Sequence, residues 1–172
     1  MYKIGLKLWS TNRNYVKEAI QLYKDNLYDY IELFSVPGSY EKYINMWKKL
    51  SVPYVIHAPH TMCGLNLAKK NSWPDNWPLI KEALKFADAL NSKIIIFHPG
   101  ISGEVEEAVF QLNRINDSRI VIENKPYYTL DKANICNGHS PQDIKFILEN
   151  TKVGFCFDIG PVSYTHLTLP TN

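Results

Sequence analysis

Apolar positions in this chain fall into short, nearly continuous runs separated by longer amphipathic stretches. The runs predict strands over residues 2–10, 28–34, 54–57, 93–98, 119–123 and 153–158. Between them apolar residues recur at spacings of three and four, as in helices that bury one face. Val16, Ala19, Ile20 and Tyr23 share such a face over residues 13–26, and Tyr43, Met46, Trp47 and Leu50 over 40–50. A third helix is predicted from Trp77, with Pro78 early, where a missing N–H costs little. On this reading Trp73-Pro74-Asp75-Asn76-Trp77 is an inserted loop. Ser102 is the expected N-cap of a fourth helix. Ser140-Pro141-Gln142-Asp143 reads as a capping box with proline at the first helical position, opening a fifth.

The order is therefore βα repeated along the chain. Strands made of Ile, Val and Phe with few interruptions suit a parallel sheet covered by helices. A complete (β/α)8 TIM barrel takes about 250 residues, and 172 residues leave room for about six units. The fold class is thus α/β, a partial TIM barrel with strands 7 and 8 missing. A doubly wound open sheet fits the same alternation. However, Leu8-Trp9-Ser10-Thr11 stands where such folds place a Gly-rich phosphate turn.

Composition narrows the class only a little. The chain is 45% hydrophobic and 21% charged, which is ordinary for a globular domain. A formal charge of +2 supplies no strong field for nucleic acid. Cys63, Cys136 and Cys156 are odd in number and lack CxxC spacing, so a disulfide framework is not expected. Cys156, inside an apolar run, reads as a small core residue. No signal peptide or membrane-length apolar run is evident, so the expected location is the cytoplasm, with no membrane and no protein partner.

Candidate chemistry sits at the strand ends. Four successive runs finish on a residue able to ligate a metal: His57, His98, Glu123 and Asp158. In (β/α) barrels that end of the strands carries the active site. Two imidazoles and two carboxylates suit a divalent ion, zinc first and manganese second. Glu32, inside the second strand, is a candidate for lining the substrate pocket. Glu32 has a structural ion pair as its competing reading. Lys7 either points inward or is solvated. His139, in a turn, is expected to be exposed. Trp73, Trp77, Tyr127 and Tyr128 either stack on a base or sugar or cover the core.

Ile56-His57-Ala58-Pro59-His60, Leu65-Asn66-Leu67-Ala68, Phe97-His98-Pro99-Gly100, Ile122-Glu123-Asn124 and Phe157-Asp158-Ile159-Gly160 follow one another in this order, four of the five at strand ends. In this the chain resembles the xylose isomerase-like TIM-barrel superfamily. Within it, the resemblance is to apurinic/apyrimidinic endonuclease family 2, typified by endonuclease IV. The resemblance implies His57 and His98 as metal ligands, Glu123 as a bridge between two metals and the candidate catalytic residue, and Asp158 as a ligand of the second metal. It also implies His60, Asn124 and Lys125 as candidates for the substrate pocket. A metal so placed acidifies water and stabilises a leaving oxygen, the chemistry of a phosphodiester hydrolase. The implied substrate is abasic DNA. The alternatives are a sugar or sugar-phosphate isomerase or epimerase of the same superfamily, acting on a small sugar, and a non-catalytic metal-binding barrel.

The chain also departs from that family. Lys125-Pro126-Tyr127-Tyr128 replaces a small, Gly-containing stretch, and His60 replaces a usual Tyr. Pro161 stands where the family places a His. From there, residues 161–172 continue neither strand nor helix and resemble a translated sequencing-adapter read-through. The expected organisation is an incomplete TIM-barrel domain over 1–160 and a non-native tail over 161–172. Little or no activity is expected of this chain alone.

Overall fold

Strands and helices alternate along residues 2–161, which are the residues described by the structure, a computed structural model. In order they are β1 (Gly5–Trp9), α1 (Val16–Lys24), β2 (Tyr30–Phe34), α2 (Tyr40–Trp47), β3 (Tyr54–His57), α3 (Trp73–Ala89), β4 (Ile95–Phe97), α4 (Val105–Ile115), β5 (Ile120–Glu123), α5 (Pro141–Asn150) and β6 (Gly154–Cys156). The six strands form one sheet in the order β1-β2-β3-β4-β5-β6, every neighbouring pair parallel. A doubly wound sheet reverses its strand order at a switch point. This order never reverses, so the fold is a partial TIM barrel. Residues 162–172, most of the expected tail, lie outside the described residues. Pro161 is buried.

Side chains alternate across each strand, and the two faces have different company. Ile31, Leu33, Ile56, Ile95, Phe97, Ile120 and Ile122 are essentially inaccessible and form one core with Ile80, Ala83 and Phe86 of α3, Leu112 of α4 and Ile147 of α5. The opposite face carries Lys7, Glu32, His57, Glu123 and Cys156 and opens towards solvent at the strand ends. Cys156 is therefore an inward-facing thiol rather than a core residue, and is only half-buried. Alternation with Asp158, two residues on, carried that signal. On the outer face of β6, Phe155 and Phe157 are 43% and 61% exposed, with no described helix over them. No helix among the described residues is long and apolar enough to cross a membrane.

Two helix starts differ from expectation. α3 begins at Trp73, and the supposed insertion is its first turn. Pro74 takes the early position assigned to Pro78, which lies inside the helix. A buried amide holds this turn in place. Asn76 is fully buried, its N–H donates to Ser72 O at 2.8 Å, and its side chain donates to Gln111 Oε1 at 2.7 Å and Asn66 O at 2.9 Å. α4 is capped at Glu104 rather than Ser102. Ser102 has φ 47° and donates its hydroxyl to Asn134 Oδ1 at 2.8 Å, so it belongs to a loop contact. The cap of α5 is as expected: Ser140 Oγ accepts from Asp143 N at 3.0 Å, with Pro141 in the first turn.

The loops that leave β3 and β4 are locked together. Asn66 Oδ1 accepts from Ile101 N at 3.1 Å while its Nδ2 donates to Ile101 O at 2.9 Å. Gly100 sits beneath at φ +120°, where any Cβ would collide with Asn66 and Ala68. This lock fixes the chain three residues beyond His98.

Candidate metal centre

Strand register brings the chemistry together. His57 closes β3 level with Ile96, and His98 lies two residues further along the same face of the next strand. Phe97 pairs with Ile122, so His98 and Glu123 leave their strands side by side. One ligand atom from each of His57, His98 and Glu123 lies within 4.8 Å of the others. His57 Nε2 is 3.6 Å from Glu123 Oε2, and His98 Nε2 is 3.2 Å from Glu123 Oε1.

Tautomers follow from the other ring contacts. His57 Nδ1 is 2.8 Å from the carbonyl oxygen of Ala58, which can only accept. Nδ1 therefore carries a proton, and in the neutral ring Nε2 presents a lone pair to Glu123. Burial pushes His98 down to about 4, so its imidazole is neutral at physiological pH. Burial alone would raise Glu123. The ammonium of Lys125 pulls the other way, favouring the ionised form, and the carboxylate lies below its usual range. Neutral nitrogen lone pairs facing a carboxylate repel one another unless a cation stands among them. Ligands on a tetrahedral zinc ion lie about 3.3 Å apart, given bonds of about 2.0–2.2 Å. The 3.2 and 3.6 Å separations match that spacing. The anchoring of His57 through its other nitrogen is the usual support of a metal-binding imidazole. The donor set fits a divalent ion.

The remaining candidates divide between the mouth and the scaffold. Lys125 Nζ lies 3.0 Å from Glu123 Oε1 and 3.3 Å from His98 Nε2. His60 stacks parallel to His98, centroids 5.7 Å apart, and its Nδ1 accepts from Met62 N at 3.3 Å. Burial lowers its affinity for a proton, and the neighbouring His57 and Lys125 lower it further. Glu32 pairs with Lys7 at 2.8 Å on the inward face, so the ion-pair reading describes both residues.

Asn124 and Asp158 meet just past the ends of β5 and β6. The Asn124 amide accepts from Asp158 N at 2.7 Å and donates to Asp158 O at 2.8 Å, stitching the ends of β5 and β6 together. The Asp158 carboxylate accepts from Gly160 N at 2.8 Å. Asp158 is not part of the cluster formed by His57, His98 and Glu123.

His139 is not exposed. Its Nδ1 approaches Cys136 O at 2.5 Å, its ring meets Tyr127 edge-on at 4.5 Å, and its side chain is 24% exposed. Trp73 and Trp77 stack at 5.2 Å on the helical exterior, under Arg114 and Lys81. Tyr127 and Tyr128, on the loop after β5, remain about half exposed. Two hollows lie away from this centre, one beside Glu82 and Lys85 and one beside Phe110 and Arg114.

No family model matches the sequence, and no curated protein matches it significantly. Solved structures do match. Endonuclease IV from Thermus thermophilus is 18% identical, with a TM-score of 0.65, over 91% of this chain and 62% of that one. A D-tagatose 3-epimerase-like protein is 20% identical, with a TM-score of 0.66, over 94% and 67%. A further Thermus thermophilus protein, TTHB071, soaked with ZnCl2, is 16% identical, with a TM-score of 0.65, over 95% and 74%. The chain thus spans about 62% of the length of that endonuclease IV. At these identities the likeness establishes the partial TIM barrel.

Proposed function

We propose that this chain is the metal-holding part of a divalent-metal-dependent TIM-barrel enzyme that hydrolyses phosphodiesters, with abasic DNA the first substrate to test and zinc the preferred ion. The observation that carries the reading is the convergence of two imidazoles, from β3 and β4, with Glu123 of β5. Enzymes of free sugars do not need that imidazole pair as ligands. His57, His98 and Glu123 would hold the ion and leave a coordination position open. When bound, it would supply Lewis acidity and acidify a water. Lys125 carries a positive charge at the same spot, suited to an anionic oxygen. His60, accepting at Nδ1, presents an Nε2–H donor near the mouth. Tyr127 and Tyr128 offer exposed rings.

A sugar epimerase is the second reading, favoured by one observation. The Asp158 carboxylate lies outside the cluster of His57, His98 and Glu123, and those three residues make up one metal position rather than two. Glu123 would then move a proton at a carbon next to a carbonyl.

Zinc titration against a competing chelator tests the centre. His57→Ala, His98→Ala and Glu123→Gln should each weaken binding by about 100-fold or more; unchanged affinity in all three would end the metal reading. Abasic-site DNA and a panel of ketoses, each with and without chelator, separate the substrates. The parent enzyme should cleave the DNA, and epimer formation without cleavage would favour the second reading. The present chain alone should show little activity with either.

A further inference from the structure

Lys125 makes contacts that a metal at this centre would also need. Its ammonium lies 3.0 Å from Glu123 Oε1 and 3.3 Å from His98 Nε2, two atoms themselves 3.2 Å apart. An ammonium only donates, so both contacts require acceptor lone pairs. Lys125 thus bridges two acceptors that would otherwise repel. The two acceptors differ in capacity. A carboxylate oxygen has two lone pairs and can serve a lysine and a metal together. An imidazole nitrogen has one, so His98 Nε2 serves one or the other.

The position of Lys125 is built into the loop. Its backbone N–H donates to Gly138 O at 3.0 Å, immediately after the stitch from Asn124 to Asp158, so the stem starts from a fixed point. The side chain is 19% exposed, and the mouth beyond it is the open side.

Resting on the metal-centre reading above, we propose that Lys125 is an internal rival of the metal. It competes for the His98 lone pair, weakens metal binding, and swings towards the mouth when the ion enters. Metal loading then presents a lysine charge to the substrate side, where an anionic group of the substrate would meet it. Affinity for the ion and display of the lysine become one linked event.

The full 172-residue chain is the material for the test, and Zn2+ alone is the probe. Affinities by chelator competition are compared for the unaltered protein, Lys125→Met and His98→Ala. Lys125→Met should bind zinc at least about tenfold more tightly, since a charge-assisted bond no longer has to be broken. Separately, reductive methylation of the unaltered protein is read by peptide mass spectrometry with and without zinc. Lys125 should label faster with zinc, while exposed Lys145 stays constant. Equal or weaker zinc binding by Lys125→Met, with His98→Ala still impaired, overturns the rivalry and leaves the metal centre standing. If all three proteins bind zinc equally, the metal centre falls and the rivalry with it. Should Lys125→Met fail to fold, the labelling decides: no zinc-dependent rise at Lys125 rejects the proposal.

Discussion

His57 donates its Nδ1 proton to the carbonyl of Ala58, the next residue in the chain, at 2.8 Å. The bond turns Nε2 inward as a bare lone pair 3.6 Å from Glu123. His60, three residues on, is arranged the other way, accepting at Nδ1 from Met62 N. Long-range 1H–15N NMR at neutral pH should therefore show His57 protonated at Nδ1 and His60 at Nε2. If His57 carries its proton on Nε2, its lone pair points at the backbone, and the centre loses a ligand.

A second expectation concerns pH. In the unfolded chain an imidazole takes up a proton near its ordinary 6.5, whereas burial keeps His98 neutral down to about 4. Between those values the unfolded state binds more protons, so stability falls as pH falls and is fully present only above the unfolded value. Burial thus costs about 2 kcal/mol at pH 5 relative to pH 7. Urea unfolding with chelator present should show the unaltered protein losing that much more than His98→Gln over the same interval. Parallel losses in the two proteins would mean that His98 is not desolvated.

The alternation of strands and helices was legible because each strand's outer face is almost wholly Ile, Leu and Phe, and each helix shows its apolar stripe. The strand-end positions of His57, His98 and Glu123 were legible for the same reason: they follow directly on such runs. What escaped was set by contacts between distant residues. The first turn of α3 is held by Asn76 reaching Asn66 and Gln111, and no local signal distinguishes Pro74 from Pro78 as the opening proline. Ser102 looks like a cap, but its hydroxyl is bound by Asn134, remote in sequence. Asp158 ends a run as His57, His98 and Glu123 do, but no local signal shows that Asn124 binds its backbone from the neighbouring strand end. His139 is covered by Tyr127, a neighbour only once the loop is folded.

The stitch between Asn124 and Asp158 predicts a separation of roles. Asn124→Ala removes two hydrogen bonds to the backbone just past β6 and should cost about 1–3 kcal/mol. Amide exchange over residues 154–158 should accelerate in that variant. Asp158→Ala keeps both backbone bonds and should leave the first equivalent of zinc bound within about twofold. A large drop in that affinity would make Asp158 a ligand of the first ion.

The buried amide at the start of α3 gives the last prediction, one that reaches the site through the scaffold. Asn76 joins α3 to Gln111 of α4 and to Asn66, and Asn66 in turn grips Ile101 just past His98. Asn76→Ala leaves the Asn66 carbonyl and the Gln111 side-chain oxygen without this donor in a fully buried place. The cost should be about 2–4 kcal/mol by urea denaturation, the range for an orphaned buried polar network. Because Asn66 then has fewer restraints, His98 should be held less rigidly and zinc affinity should fall by about tenfold, as when a group supporting a ligand is removed. The comparison is Leu79→Ala, a substitution in the same helix outside the network. It should lower stability through packing and leave zinc affinity unchanged once the protein is folded. If Asn76→Ala lowers stability while zinc binds as before, the network supports α3 alone and the lock on the loop after β4 does not orient the ligand.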